Sequence, residues 1–277
     1  MENRIDQKFA QLRKENACGF MAYITGGDPT PERMMDIAEA LSEAGVDFLE
    51  IGVPFSDPLA DGIANQLGAQ RALLAGTTVP ILLKTISRIR RNVDLPIILY
   101  SYLNPLFQYG FERFEQDAAS AGADGLLLLD LPPDESLLPD KGERLLHRIR
   151  LIAPTTPRER IKKIVSRAEG FIYYVSREGV TGERDVLEQT IEDRVALIRL
   201  ETDLPVAVGF GISNAQQARK VAAVADAVVV GSAIVRRIGE FSQQEDLRDR
   251  IQGFVRSLVD AVRPGRDSSQ SSRSGSD

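Results

Sequence analysis

Three carboxylates lie close together in the segment FLEIGVPFSDPLADG, residues 48–62. Glu50 sits inside an apolar run that reads as a buried strand, and Asp57 and Asp61 follow in a short loop. In a strand, residues two apart share a face. Phe48 and Glu50 then point one way, into the mouth of a barrel, and Leu49 and Ile51 point the other, towards covering helices. A carboxyl group desolvated there has its pKa raised, so it can hold a proton near neutral pH and serve as acid and then base. The bland alternative is a structural Glu paired with a neighbouring donor. Asp57, before Pro58, reads as the residue that organises the turn. Asp61, before Gly62, could cap the helix that follows or face a ligand, and position alone leaves both open.

A second group of residues suits phosphate. GFGIS (209–213) and GSAIV (231–235) each end a strand and lead into a helix. Glycines such as Gly211 and Gly231 let backbone N–H groups approach an anion, and helix N-termini favour negative charge. Ser232 adds a hydroxyl. A third segment, SREGVTGER (176–184), carries Gly179, Thr181 and Gly182 and could be an idle connection or a lid over a phosphorylated ligand.

Positioning these groups requires a frame, and the chain supplies one repeatedly. Apolar runs recur at residues 20–25, 47–51, 96–101, 125–130, 149–153, 171–176, 205–210 and 226–231, with amphipathic stretches between them. Continuous apolar runs suit strands covered on both faces, as in a parallel sheet. Strand and helix alternating eight times predicts an α/β fold, a single (β/α)8 TIM barrel. Its active site would lie at the strand C-termini, where Thr25, Glu50, Tyr100, Asp130 and Ser176 fall. An open doubly wound sheet is the alternative, weakened by the lack of GxGxxG after the first strand. Residues 1–16 add a helix before the barrel, with Ile5, Phe9 and Leu12 on one face. Thr30 and Pro31 read as N-cap and first turn of the helix after strand one. Gly45 and Gly122 end two helices in the recurring AGVDFLEI and AGADGLLLL.

Composition narrows the classes. The 277 residues are 43% hydrophobic with a formal net charge of −6, so one large core is affordable and no basic stripe invites nucleic acid. One cysteine, Cys18, and one histidine, His147, exclude an intramolecular disulfide, a cysteine cluster and multi-histidine zinc sites. His147 reads as structural, between a helix and the next strand. No signal-peptide core and no run of about 18 apolar residues is present, so a soluble cytoplasmic protein without a membrane span is expected. The barrel domain is expected over 1–262, and the Ser/Gly/Arg-rich 263–277 as a disordered tail.

Taken in order, FMAYITGGDP, FLEIGVPFSDPLADG, YLNPLFQYGFERF, DLPP, LIAPTTPRERIKKI, YYVSREGVTG, GFGIS and VVVGSAIV resemble the tryptophan synthase α subunit family from about residue 17 to 236. The resemblance implies retro-aldol cleavage of indole-3-glycerol phosphate to indole and glyceraldehyde 3-phosphate. It makes Glu50 the acid/base and Asp61 the carboxylate facing the indole nitrogen. It implies phosphate binding by Gly182, Gly211, Gly231 and Ser232, an indole pocket lined by Phe20 and Tyr173, and Thr181 in a closing loop. Asp57 becomes a loop residue and a partner contact. No metal or organic cofactor is implied in this chain. Pyridoxal phosphate belongs to a partner β subunit, in an αββα heterotetramer that receives the indole. The sequence departs from the family pattern at DGIANQ, with Ile63 for a common Pro and Asn65 for a common Ile, and at Leu129 where Pro is frequent. Rival readings are a barrel acting mainly as activator of the β subunit, another phosphate-binding barrel enzyme, and a stand-alone indole-forming lyase.

Overall fold

The computed structural model describes residues 3–132, 135, 145–175, 184–209 and 211–263. Eight parallel strands close into a barrel in sequence order, β8 pairing back onto β1. They are β1 (Gly19–Thr25), β2 (Phe48–Gly52), β3 (Ile97–Ser101), β4 (Gly125–Leu128), β5 (His147–Ile152), β6 (Ile172–Val175), β7 (Val206–Gly209) and β8 (Ala227–Val230). The helices that matter below are α1 (Arg4–Lys14), α2 (Pro31–Glu43), α3 (Ile63–Leu74), α5 (Leu103–Tyr109), α9 (Ala215–Ala222), α10 (Ser232–Glu240) and α11 (Leu247–Val262). The remaining helices are α4 (Val79–Ile89), α6 (Phe111–Ala121), α7 (Arg158–Val165) and α8 (Arg184–Arg199). The expected (β/α)8 barrel with an extra N-terminal helix is what forms. His147 is the first residue of β5, and its Nε2 lies 2.6 Å from Asp6 Oδ2 of α1, a structural contact.

Strand periodicity divides the core into two shells. Met21, Phe48, Ile98, Leu127, Ile149, Tyr173 and Val229 pack inside the barrel. Phe20, Ala22, Ile24, Leu49, Ile51 and Leu99 pack between barrel and helices. The amphipathic N-terminal segment becomes α1, which closes the barrel's lower end. Its Ile5, Phe9 and Leu12 belong to the inner shell, and the Phe9 ring lies 4.5 Å from Phe48 and 5.6 Å from Phe171. Asn3 caps α1 through its side chain, and Arg4 reaches the buried Asp124 at 2.9 Å.

The repeated helix-to-strand sequence has a physical purpose. A carboxylate just before each even strand accepts the N–H of an early residue in the strand before it. Asp47 accepts from Phe20 at 2.8 Å, Asp124 from Ile97 at 2.8 Å, Glu169 from Arg148 at 2.9 Å and Asp226 from Val206 at 2.8 Å. Backbone donors at strand starts would otherwise lose their partners on burial. Asp124 is also paired with Arg90, and Asp47 with Arg263. Arg263, which the sequence reading assigns to the tail, is thus the tethered C-cap of α11. Residues 264–277 lie outside the described residues.

Thr30 caps α2, its hydroxyl accepting from Arg33 N–H, with Pro31 in the first turn. Gly45 and Gly122 follow α2 and α6 with φ of +89° and +99°. Among the described residues, no single helix is long and apolar enough to cross a membrane.

The plug formed by α1 gives a stability test. Phe9→Ala empties the centre of the lower inner shell, and truncation of a buried phenylalanine costs about 3–5 kcal/mol. Urea denaturation of the variant is expected to show an unfolding free energy lower by that amount, read as a lower midpoint with little change in slope.

Candidate functional site

At the end of the barrel opposite α1, a cavity of about 160 Å³ opens among the strand C-termini. Glu50, Asp61, Tyr23, Tyr100 and Tyr173 line one part of it, and Gly209, Gly211, Gly231 and Ser232 another. Pairing in register sets the first group. Tyr23 of β1 lies opposite Glu50 of β2, which lies opposite Ile98 of β3. One residue pair higher, Gly52 lies beside Tyr100 after the period of two is counted.

Glu50 is fully buried, and neither carboxyl oxygen has a hydrogen-bond partner among the described residues. The structural alternative, a Glu held by a donor, therefore does not describe it. Burial first, and the nearby charge of Asp61 second, push its pKa from 4.5 up to about 8. Desolvation disfavours the charged form, so the group keeps its proton at neutral pH.

Asp61 differs from Glu50 in what surrounds it. Its Oδ1 accepts from Tyr100 at 3.1 Å and, at 3.4 Å, from Asn65 Nδ2. Its Oδ2 accepts from the Tyr102 hydroxyl at 3.0 Å. Burial raises its pKa too, but these three donors oppose the rise. The helix-cap alternative is also settled, because Gly62 is the N-cap of α3 and no side chain caps it. Asp57 is an exposed turn residue whose carbonyl accepts from Leu59 N–H. Tyr102 carries a second tie to the same loop, accepting from Ala60 N–H at 2.8 Å.

The glycines shape the cavity by what they leave out. A Cβ on Gly52 would lie 2.2 Å from the Tyr23 hydroxyl, and one on Gly209 would lie 2.9 Å from that of Tyr173. These two positions make room for the tyrosine rings. Gly211 lines the cavity with φ of +43°, and a Cβ there would meet nothing within 4 Å. Gly231 is the N-cap of α10 without a side-chain cap, and Ser232 begins the helix. First-turn N–H groups of such a helix have no intrahelical acceptor and suit an anion. The second loop differs from expectation. The N-terminus of α9 is capped by its own Asn214, and Ser213 N–H donates to Gln217 Oε1 at 2.9 Å. Among the described residues of that segment, Gly209, Gly211 and Ile212 line the cavity and Ser213 does not.

Several sequence expectations change here. Phe20 does not line the cavity. Its side chain is completely buried in the outer shell between barrel and helices, because inward positions on β1 are Met21 and Tyr23. Tyr23, two residues along the inward face from Met21, lines the cavity instead. Tyr173 does line the cavity. Thr181 and Gly182, with Ser176 and the whole lid segment to residue 183, lie outside the described residues. Asp130 is exposed and accepts from Leu103 N–H at the start of α5. Tyr23, Tyr102 and Asn65 were not singled out from the sequence as site residues. The alternation Tyr23/Thr25 and Tyr100/Tyr102 was the available signal, since polar groups two apart at a strand end mark the inward face. Among the described residues, no cluster of three His, Cys, Asp or Glu side chains is arranged to hold a metal.

Comparison with known proteins agrees with this geometry. The family model for the tryptophan synthase alpha chain matches residues 9–263. The tryptophan synthase alpha chain of Geotalea uraniireducens (strain Rf4) is 46% identical over 263 residues, covering 94% of this chain and 98% of the relative. That of Opitutus terrae is 50% identical over 240 residues, covering 86% and 90%. Among solved structures, tryptophan synthase subunit alpha from Legionella pneumophila str. Paris superposes with a TM-score of 0.85 at 36% identity, covering 95% of this chain and 99% of that one.

The isolated carboxyl of Glu50 makes a prediction about stability. Below about pH 4.5 the group is protonated in both folded and unfolded chains. Between 4.5 and about 8 only the unfolded chain releases the proton, so stability falls as pH rises, by about 1.4 kcal/mol per pH unit. Glu50→Gln removes that titration. Its stability relative to the parent is expected to rise by roughly 3 to 4 kcal/mol between pH 5 and pH 8, measured by urea denaturation at both pH values. A constant difference would show that Glu50 titrates normally.

Proposed function

Because the chain belongs to the tryptophan synthase alpha chain family, we propose that Glu50 and Asp61 divide between them the acid–base and electrostatic work of its reaction. That reaction is the retro-aldol cleavage of indole-3-glycerol phosphate to indole and glyceraldehyde 3-phosphate. The observation that carries the division of roles is the contrast in hydrogen bonding among the described residues: no donor on Glu50, three on Asp61.

The C–C bond between indole C3 and the glyceryl chain can break only after C3 is protonated. Glu50, neutral at the pH of the reaction, supplies that proton. Positive charge then spreads to the ring nitrogen, and ionised Asp61 stabilises it across a water-poor cavity where such charge pairing is strong. The bond electrons return to the ring as it breaks, and the hydroxyl on the departing carbon loses its proton as the aldehyde forms. Glu50, now a carboxylate, accepts that proton and is ready for another cycle. Two carboxyl groups in different surroundings thus hold different protonation states at one pH.

Phosphate binding falls to Gly211 and to the N-terminus of α10 at Gly231 and Ser232, with Gly182 and Thr181 of the lid segment as further contacts. Tyr173 and Tyr23 would border the indole. The chemistry on the page needs no cofactor in this chain. Its partner is the β subunit of tryptophan synthase, which holds pyridoxal phosphate, and the assembly we infer is an αββα heterotetramer with indole passed from this site to that one. Exposed Leu59 and Ile63 beside the Asp61 loop, and Phe107 on α5, offer apolar surface for such a contact. We read residues 1–262 as the catalytic domain.

Two experiments test these assignments. Glu50→Gln and Asp61→Asn should each reduce indole formation by at least about a hundredfold, the usual scale for loss of an acid–base or electrostatic group. Either variant turning over within about threefold of the parent, less than 1 kcal/mol, would remove that residue from the mechanism. For phosphate, Gly211→Val should weaken glycerol phosphate binding by about tenfold or more, since a β-branched side chain at positive φ both strains the loop and enters the anion's place. Ser232→Ala should stay within about threefold, because the donors are main-chain N–H groups. Calorimetry giving the opposite order would assign recognition to the hydroxyl.

A further inference from the structure

Tyr100 is the inward residue at the upper end of β3, and nothing in the cleavage as derived above uses it. Its hydroxyl donates to Asp61 Oδ1 at 3.1 Å. Its ring packs edge-on against Tyr23, centroids 5.1 Å apart, so the phenol is fixed by a neighbouring strand as well as its own. Tyr102, by contrast, lies beyond the strand end and is bound to the Asp61 loop at both Asp61 and Ala60. Asp61 itself sits in a loop whose residues Ser56, Asp57, Leu59 and Ala60 are exposed. Tyr100 is therefore the contact that refers the Asp61 carboxylate directly to the barrel wall.

We propose that Tyr100 is a positioning residue for the cleavage: its phenol holds Asp61 Oδ1 as the ionised carboxylate and fixes its orientation towards the ring nitrogen. This rests on the reading of Asp61 given above. The groups that face Asp61 are Glu50 on β2, Tyr23 on β1, Tyr100 on β3, Tyr102 after β3 and Tyr173 on β6. None of these is a cation. With burial acting against its charge, Asp61 depends on neutral hydroxyl and amide donors to stay ionised. Each donor favours the charged form, and the Tyr100 donor is supplied from a strand, where its position costs little to maintain. The hydroxyl of Tyr100 keeps its own proton, since burial first and Asp61 second raise its pKa well above the ordinary tyrosine value.

The test is Tyr100→Phe, which removes only the hydroxyl, assayed in the full chain for glyceraldehyde 3-phosphate release across a pH series. The expected result is a kcat lowered by about tenfold with KM within about threefold of the parent. The rising, acidic limb of the profile, which reports ionisation of Asp61, should move to higher pH. The falling limb, which reports loss of the Glu50 proton, should stay in place. Ionisation of the substrate phosphate is common to both proteins and cancels in the comparison. A change confined to packing would lower activity without moving one limb alone. Asp61→Asn and the double variant Tyr100→Phe/Asp61→Asn complete the cycle. In the Asn background, loss of the phenol should cost no more than about twofold further. An unmoved acidic limb, or a full tenfold loss in the Asn background, overturns the role of Tyr100 while leaving Asp61 in place. Near-parental turnover by Asp61→Asn alone overturns the reading of Asp61 and the proposal with it.

Discussion

A carboxyl group completely buried at the mouth of a closed barrel, with no hydrogen-bond partner among the described residues, is the constraint around which this structure is built. Burial disfavours an ionised carboxylate in that place, so the surroundings of Glu50 favour the neutral acid in the resting site. The frame must then be stable enough to carry the burden. It is stiffened at each odd strand by the carboxylate that precedes the next strand, and its lower end is sealed by the aromatic and aliphatic face of α1. The strand C-termini are left free to differ from the core, and the polar groups gather there.

Asp61 shows the same physics resolved the other way. It too is removed from water, but three donors converge on it. Two of those donors are phenols with raised pKa values, which can donate without contributing charge. Among the described residues, Asp61 is held by neutral hydroxyl and amide donors, while Glu50 is left with burial and the nearby charge of Asp61. That suits a reaction in which a positive charge appears only transiently on the substrate ring. A resident arginine or lysine would oppose it. On the other side of the cavity, among the described residues, a positive-φ glycine and the uncapped start of α10 are what the proposed phosphate site offers.

Much of this was legible in the sequence, and the failures are instructive. The eight apolar runs located the strands to within a few residues, because strands buried on both faces read as continuous hydrophobic segments. The period of two placed Glu50 inward because Leu49 and Ile51 flank it with apolar side chains destined for the helix layer. In FMAYIT both faces are apolar, so hydrophobicity could not distinguish Phe20 from Met21, and the resemblance alone assigned Phe20 to the pocket. The parity of Tyr23 with Thr25 was the only local hint. Asn65 could not be reached locally at all, and Tyr102 was hinted at only by its parity with Tyr100. Their role depends on the loop 53–62, between β2 and α3, folding back over the barrel mouth, and nothing in residue spacing sets that geometry. The same holds for α9, where Asn214 and Gln217 consume donors that the glycine-rich loop had seemed to offer.

The central claim is that Glu50 is a neutral acid at the pH at which the site works. Infrared difference spectroscopy of the parent against Glu50→Gln reads this directly, through the carbonyl stretch of a protonated carboxyl group. The parent should show that band at pH 7, the variant should lack it, and it should fade with a midpoint near the value of about 8 to which burial pushes the group. A band already gone by pH 6, with a midpoint in the ordinary range of glutamate near 4.3, would mean that Glu50 is an ionised base in the resting site and would contradict the division of roles between the two carboxylates.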